Sequence, residues 1–313
     1  MATESFRLYS SYAPFLFKQN WNLKVDHYKK TKTMAAQSVK RSRKSFSACP
    51  LNKYVLQALT ALIACAAGLP SIADSFPAAA GDITIIPLIH SSVQLEYQGL
   101  VIQVDPWARM KLDQAKPADL IVITDSPGHH LDVEAIAALS KSNTRIVTAA
   151  NGAKQVPEGN VMTIGERLLM SGVSIEAIAA YDIILGAPAH PRGDANGYVL
   201  TIGGSRLYFA GVTECVDEVK ALRNIDVAFM PMNVPLGRMT PAAAAACTKT
   251  LNPSVVYSYH YNQDWARRAV TPDYAGAELP GGISIAQSLD LFEQELSGSG
   301  IEVRRGDWYP TLD

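Results

Sequence analysis

The order of its predicted elements places this chain in the α/β class, as a four-layer αββα sandwich of two sheets flanked by helices. Apolar strands come first in hairpins and later alternate with helices, which suits this architecture better than a doubly wound parallel sheet. The 313 residues, 48% of them apolar, are enough to bury one large core. We therefore expect a single α/β domain over residues 82–313.

Strand character is carried by short apolar segments with turn residues between them. The predicted strands are 83–89, 93–97, 100–104, 120–124, 145–149, 173–179, 197–202, 206–210, 227–231 and 255–259. Gln98-Gly99 predicts a hairpin between the second and third of these. Helices are predicted over 132–140, with Asp132 as the N-cap, and around 215–221 and 241–250.

The balance of charge limits the class of partner. With 28 basic and 29 acidic residues the formal net charge is -1, so nothing calls for nucleic acid. A small-molecule substrate is the expected partner, and the oligomeric state is left open. The four cysteines show no C-x-x-C spacing. Only Cys215 and Cys247 could pair within the domain, and the sequence does not decide whether they do.

The N-terminus is typical of an export signal. Residues 1–33 form a leader without a periodic pattern, which makes Met34 the expected biological start. Basic residues 39–46 precede an apolar run, 54–68, that is too short to span a bilayer comfortably. We interpret residues 34–81 as a bacterial secretory signal and linker. The alternative, an internal core helix, is disfavoured because Pro70 ends the run and 77–81 resembles a linker.

Two processing signals overlap in this segment. Ser71-Ile72-Ala73 offers small residues before a signal-peptidase cut, and Leu62-Ile63-Ala64-Cys65 resembles a lipobox ending in a lipidated cysteine. Either signal exports the domain. The predicted location is therefore the bacterial envelope, as a periplasmic protein or a lipoprotein that touches the membrane only through its signal or lipid anchor.

The histidines of the domain share one kind of position. Each lies at a predicted strand end or in the loop that follows one: His90, His129, His130, His190 and His260. For any single one, a core histidine bonded to a backbone carbonyl is an adequate explanation. Five at strand ends instead favour convergence on one site, as happens when a rigid sheet presents metal ligands.

Four segments carry a family resemblance, in the order Thr124–Asp132, His190–Gly193, Tyr208–Glu214 and Tyr257–Tyr261. With them the chain resembles the metallo-β-lactamase superfamily, and within it the branch of UlaG-like metal-dependent hydrolases, whose members act on lactones, phosphoesters and related substrates. His90-Ser91-Ser92 and Asp105-Pro106 fit the same branch. The resemblance covers nearly all of the exported part and implies the same αββα fold.

The resemblance also assigns the ligands of two metal sites. The family signature His-x-His-x-Asp-His falls on Asp125, Pro127, His129 and His130, and the later ligands fall on His190, Val212 and His260. Proline has no donor atom, and valine cannot replace the bridging aspartate. The first site, which keeps His190 and Asp125, is therefore expected to be empty or weak.

The second site keeps more of its ligands. His130 and His260 remain, and His129 stands where the family has a carboxylate, although its longer ring could overshoot the ion. The resemblance thus implies one divalent metal, zinc in the first place with iron or manganese as alternatives. Such an ion lowers the pKa of bound water to about 7, and the hydroxide could attack an ester, a lactone or a related bond.

Asp125 and His190 are the predicted catalytic residues, because they could handle protons beside the metal. Asp125 could equally serve only to hydrogen-bond its loop. The remaining candidates for the pocket or for support of the ligands are His90, Asp105, Asp132, Glu214 and Asn233. Of these, Asp132 is favoured as a helix cap and Glu214 as a solvated residue at a helix start.

The sequence therefore predicts an exported hydrolase with one metal ion. A metal-poor pseudoenzyme that binds or scaffolds is the alternative, and the added nitrogen of His129 argues against simple decay of the site. A metal-free catalyst using Asp125, His190 and His260 is a third possibility, but the chain lacks a nucleophile motif such as G-x-S-x-G. The segment 265–282 is expected to cover the site entrance or to form an oligomer contact.

Export is testable on the mature protein. We expect mass spectrometry of the chain from a bacterial envelope fraction to find an N-terminus at a lipidated Cys65 or directly after Ala73, because signal peptidases cut at such residues. A chain recovered only with residues 34–64 still attached would contradict the predicted location.

Overall fold

The computed structural model describes residues 73–110, 115–186, 190–233, 237–271, 273–276 and 282–309. The predicted leader and the apolar run of the export signal lie outside these ranges. Among the described residues, no helix is both long and apolar enough to cross a membrane.

The first sheet has seven strands in chain order. They are β1 Asp74–Ala78, β2 Gly81–Ile89, β3 Ser92–Tyr97, β4 Leu100–Val104, β5 Ala118–Ile123, β6 Ser140–Thr148 and β7 Asn160–Val161. The pairs from β1 to β4 are antiparallel, and the pairs from β4 to β7 are parallel. The predicted hairpin is confirmed, with Gln98 and Gly99 at φ 50° and 82° in the turn that joins β3 to β4.

The second sheet repeats this plan. Its strands are β8 Arg167–Met170, β9 Val173–Ala180, β10 Ala195–Ile202, β11 Ser205–Phe209, β12 Val227–Pro231, β13 Val255–Tyr259 and β14 Glu302–Arg304. The pairs from β8 to β11 are antiparallel and those from β11 to β14 parallel. The topology is thus duplicated, although no repeat is visible in the sequence.

The burial of β5 follows from its two faces. Leu120 and Val122 belong to the large core between the sheets, whereas Ile121 and Ile123 pack in a separate cluster with Ile136 of the following helix. Because both faces are covered, the strand is a continuous apolar run instead of an alternating one. Such a strand holds the loop that follows it in a fixed position.

Five helices lie among the described residues outside the sheets. They are α1 Val133–Leu139, α2 Asp217–Lys220, α3 Pro241–Leu251, α4 Gln263–Val270 and α5 Ile285–Leu296. The predicted cap of α1 is confirmed, since the Asp132 carboxylate accepts from the backbone N–H groups of Glu134 and Ala135. Helix α1 covers the first sheet, and α3 packs on α5 and against β12. The αββα architecture is confirmed.

The linker predicted before residue 82 is instead an edge strand. Pro77 pairs with Asp82 in the antiparallel ladder of β1 and β2, and its carbonyl accepts a 2.9 Å hydrogen bond from the Ser205 hydroxyl. Proline is tolerated there because an edge strand leaves one side without partners. The described domain therefore begins at least as early as Asp74, not at residue 82.

Two later segments also differ from the prediction. Residues 263–270 form helix α4, with Trp265 and Ala266 buried, in a segment for which no helix was predicted. The helix predicted around 215–221 is reduced to one turn, Asp217–Lys220.

The question left open for the cysteines is settled by a disulfide between Cys215 and Cys247. The bond links the segment that leads into α2 to the buried face of α3, and the two residues are 32 positions apart. It therefore fixes the chain directly after Glu214.

We expect the double replacement Cys215→Ser and Cys247→Ser to lower the free energy of unfolding by about 3 kcal/mol, because a closed loop of this length restricts the unfolded chain. Urea denaturation followed by circular dichroism measures the change. Dithiothreitol should destabilise the wild type by a similar amount and leave the double variant unaffected. Equal stability of the oxidised wild type and the variant would contradict the expectation.

Candidate metal centre

The site forms where strand ends of both sheets meet. His90 follows β2 of the first sheet and His260 follows β13 of the second, and the His260 N–H donates to the His90 carbonyl at 2.9 Å. Both residues have left-handed backbones, with φ 55° and 53°. Such conformations are uncommon outside glycine and concentrate at functional sites. The hydrogen bond from His260 to His90 and these backbone conformations bring the two buried imidazole rings to a centroid separation of 4.0 Å.

Asp105, at the end of β4, fixes the orientation of His130. Its buried carboxylate accepts from the Thr124 N–H at 2.7 Å and from the Thr124 hydroxyl at 2.6 Å, and it lies 2.7 Å from His130 Nδ1. An ionised carboxylate only accepts hydrogen bonds, so Nδ1 of His130 carries the proton. The other nitrogen, Nε2, is left with a free lone pair.

His260 is oriented in a similar way from the second sheet. Its Nδ1 lies 3.2 Å from Asn233 Oδ1, and its Nε2 lies 3.1 Å from Nε2 of His130. With both protons on Nδ1, two lone pairs face each other across that distance. A cation between them removes the repulsion, and carboxylate-bound histidines are typical metal ligands. This arrangement fits a bound metal ion.

His90 and His129 complete the histidine cluster, by which we mean His90, His129, His130 and His260. One ring nitrogen each of His90, His129 and His260 lies within 4.8 Å of the other two. Nδ1 of His90 is 2.8 Å from the Tyr309 hydroxyl, while its buried Nε2 has no hydrogen-bond partner among the described residues. His129 is partly exposed and lines a cavity.

The electrostatic environment keeps three of these rings neutral. Burial lowers the pKa of His90, His129 and His260 well below the ordinary value, and the neighbouring imidazoles lower each further. A neutral imidazole is the form that binds metal. The rings of His90, His129 and His260 are therefore ready to bind a cation at neutral pH without first losing protons.

His190 belongs to a second, adjacent group. Its Nδ1 lies 2.9 Å from Asp182 Oδ2, which also accepts from the buried Arg238, and its Nε2 lies 3.5 Å from Asp125 Oδ2. The hydrogen bond with Asp182 raises the pKa of His190, and Asp125 adds to the effect. His190 thus stands between two carboxylates and favours its protonated form. We call Asp125, Asp182, His190 and Arg238 the His190 group.

The two oxygens of Asp125 have different surroundings. Oδ1 accepts from the Ser126 N–H at 2.8 Å and from the Asn151 amide at 2.5 Å, which fixes the loop. Oδ2 is buried, accepts no hydrogen bond among the described residues and faces His190. That oxygen is available for a proton.

Two other candidates, Glu214 and Asp132, hold parts of the backbone in place. Glu214 is buried, and its carboxylate accepts from the backbone N–H groups of Ile183 and Ile184, so it neither replaces the missing aspartate nor lies in solvent. It fastens the loop that carries Asp182. Asp132 caps α1 and also accepts from the Ala108 N–H at 2.9 Å.

The sequence did not single out Asp182, Arg238 or Tyr309. Asp182 stands two residues after β9, much as Asp105 stands directly after β4. This position after a strand end was the signal in the sequence that could have identified Asp182. Tyr309 comes from a segment remote from every other residue of the site. No local pattern connects it with His90.

A cavity of about 750 Å³ opens on His129. Its wall includes Trp107, Arg109 and Leu131 on the side of the first sheet and Gln263, Ala266 and Arg267 of helix α4 on the other. Helix α4 therefore forms one wall of this cavity. The cavity is large enough for a small-molecule substrate.

Comparisons with known proteins agree with this geometry. A family described as "Beta-lactamase superfamily domain" matches residues 84–260. The crystal structure of a metal-dependent hydrolase from Parabacteroides distasonis is 34% identical, with a TM-score of 0.63, over 76% of this chain and 99% of that one. A metal-dependent hydrolase from Pyrobaculum neutrophilum is 29% identical over 190 residues, which are 55% of this chain and 81% of the relative. Igni18, a metallo hydrolase from Ignicoccus hospitalis, shares the fold at 20% identity, with a TM-score of 0.55 over 74% of this chain and 97% of that one.

We expect Asp182→Asn to lower the pKa of His190, because the carboxylate stabilises the imidazolium through its hydrogen bond. Since the folded-state pKa is raised, this ionisation stabilises the fold fully below about pH 6.5 and the contribution is lost as pH rises through the raised value. NMR titration of the His190 ring measures the shift. The exposed Asp217→Asn is the control, and an unchanged pKa in Asp182→Asn would refute the assignment.

Proposed function

The chain belongs to the metallo-β-lactamase-fold superfamily of metal-dependent hydrolases, and on that premise we propose that it hydrolyses a small ester, lactone or related substrate with a single metal ion. The observation that carries the proposal is the 3.1 Å separation of the Nε2 atoms of His130 and His260, whose Nδ1 atoms are both engaged. His129 stands beside them at the base of the cavity.

The ion would be held by His129, His130 and His260. Imidazole ligands suit zinc first, with iron or manganese as alternatives. A zinc ion held by these residues would supply a hydroxide nucleophile at neutral pH, because zinc lowers the pKa of a bound water to about 7. Asp105 and Asn233 keep the ring nitrogens of His130 and His260 aimed at the site.

The His190 group would handle the protons. Oδ2 of Asp125 can accept a proton from the attacking water, and protonated His190 can donate one to the leaving group. His190 lies close enough to lower the pKa of both His129 and His260, so proton transfer and the histidine cluster share one site. Asp182 and Arg238 hold the ring in place.

A single ion is supported by the residues at the family's other metal position. Pro127 has no donor, Val212 has no carboxylate, and the nitrogen of His190 that could reach an ion faces Asp125 instead. The two carboxylates of the His190 group are already balanced by His190 and Arg238. A second cation would have to displace this internal ion pairing.

Export remains part of the proposal. The Cys215–Cys247 disulfide suits an oxidising compartment such as the bacterial periplasm, since cytosolic thiols are kept reduced. The site would then act on a substrate outside the cytoplasm. Whether the chain is processed at Cys65 or after Ala73 depends on the mass-spectrometric test above.

We expect the purified wild type to contain about one zinc or iron ion per chain, and His260→Ala to lose most of it, because the variant removes one of three ligands. Inductively coupled plasma mass spectrometry measures the content. His190→Gln is the matched control, since it changes a histidine of the same site outside the proposed ligand set, and should keep its metal. A folded wild-type protein without metal would refute the proposal and favour the alternative of a metal-poor pseudoenzyme that acts as a binding module. Unchanged content in His260→Ala would remove that ligand.

A further inference from the structure

The feature that the proposed ligand set leaves unexplained is His90. Its side chain is completely buried, yet Nε2 has no hydrogen-bond partner among the described residues. A buried polar atom without a partner is costly, because it has given up its hydrogen bonds with water and gained none in return. Such an atom in a native site calls for a ligand, an ion or a water.

The backbone of His90 is held in an unusual conformation. Its φ is 55°, its N–H donates to the Trp308 carbonyl at 3.3 Å, and its carbonyl accepts from His260. The neighbouring left-handed residue is His260, a ligand in the proposed set. His90 and His260, which are neighbours in space, thus both adopt a costly backbone conformation, and their rings lie side by side. Such conformations concentrate at functional sites.

The ring itself is also oriented. The Tyr309 hydroxyl accepts from the Asn262 N–H at 3.2 Å and lies 2.8 Å from Nδ1 of His90. This contact engages Nδ1 and leaves Nε2 as the ring nitrogen without a partner among the described residues; Nε2 binds a metal when Nδ1 carries the proton and donates it to Tyr309. Metal-binding histidines are usually fixed through their other nitrogen in this way.

We propose that His90 is itself a metal ligand, so that four histidines would hold the ion and a water would bind as a fifth ligand. This inference rests on the proposed function and adds a ligand to it. His90, His129 and His260 offer nitrogens within 4.8 Å of one another, and the His90 and His260 rings are the closest pair of the cluster. Because His129 replaces a carboxylate, every ligand is neutral. The chemistry selects a transition ion such as Zn²⁺ or Co²⁺ over Mg²⁺ or Ca²⁺.

The competing partner for Nε2 is Gln263. Its side chain acts to raise the pKa of His90 against the effect of burial, and its Oε1 is also buried without a partner. If Gln263 satisfied the ring, His90 would only line the pocket. The variants below separate the two roles.

Co²⁺ binding to the chelator-treated full chain tests the inference, because the visible absorption of Co²⁺ reports its ligands and the titration reports its affinity. His90→Asn and His90→Gly are the variants of choice, since asparagine and glycine tolerate a φ of 55°. We expect both to weaken Co²⁺ binding at least about tenfold and to alter the absorption bands. Free imidazole should restore the wild-type bands to His90→Gly. Gln263→Ala should bind within about twofold of wild type.

Each other result has a definite meaning. Wild-type affinity and absorption in both His90 variants, with metal lost in His260→Ala, would overturn the role of His90 and leave the proposed function standing. Weaker binding with unchanged absorption, or an equal loss in Gln263→Ala, would overturn direct ligation as well. A wild type that binds neither Co²⁺ nor Zn²⁺ would refute both proposals together.

Discussion

One hydrogen bond ties the two halves of this fold together at the site, the 2.9 Å bond from the His260 N–H to the His90 carbonyl. It joins the end of β2 in the first sheet to the end of β13 in the second. The carboxyl ends of β4, β5 and β12 lie at the same edge and deliver Asp105, Thr124 and Asn233. Loops at such an edge can carry chemistry because a packed sheet on each side holds their ends still. The close approach of the rings follows from this meeting of strand ends.

Local pattern predicted the elements whose neighbours in space are also neighbours in sequence. The hairpin at Gln98-Gly99 and the cap at Asp132 depend on residues within a few positions, and both are present as expected. Strand β1 is an exception. Its partner β2 follows it directly in the chain, but its composition, with Pro77 followed by small residues, is that of a linker and conceals the strand. Helix α4 escaped prediction for a related reason, since it buries only Trp265 and Ala266 and is otherwise polar.

The residues of the site divide in the same way, into those that a local sequence pattern marks and those that it does not. The histidines were recognisable because strand ends and a family signature marked them. Their partners were not, since Tyr309 and Asp182 are brought in by the path of the whole chain. Glu214 is the clearest case. Its sequence position suggested either a ligand or a solvated helix start, but the buried carboxylate satisfies two backbone N–H groups of the loop carrying Asp182. Only the three-dimensional structure shows that these two backbone N–H groups need a hydrogen-bond acceptor.

Charge explains why the two halves of the centre differ. In the His190 group, the carboxylates of Asp125 and Asp182 face a histidine with a raised pKa and a buried arginine, so the charges balance within the chain. In the histidine cluster the rings of His90, His129 and His260 are held neutral by burial, and the carboxylate of Asp105 is directed at Nδ1 of His130. The histidine cluster therefore lacks a positive charge, whereas the His190 group already contains positive charge from His190 and Arg238. Under the proposed function, the family's first metal position would therefore hold a proton instead of a second cation, and that proton would serve hydrolysis at a centre with one metal ion.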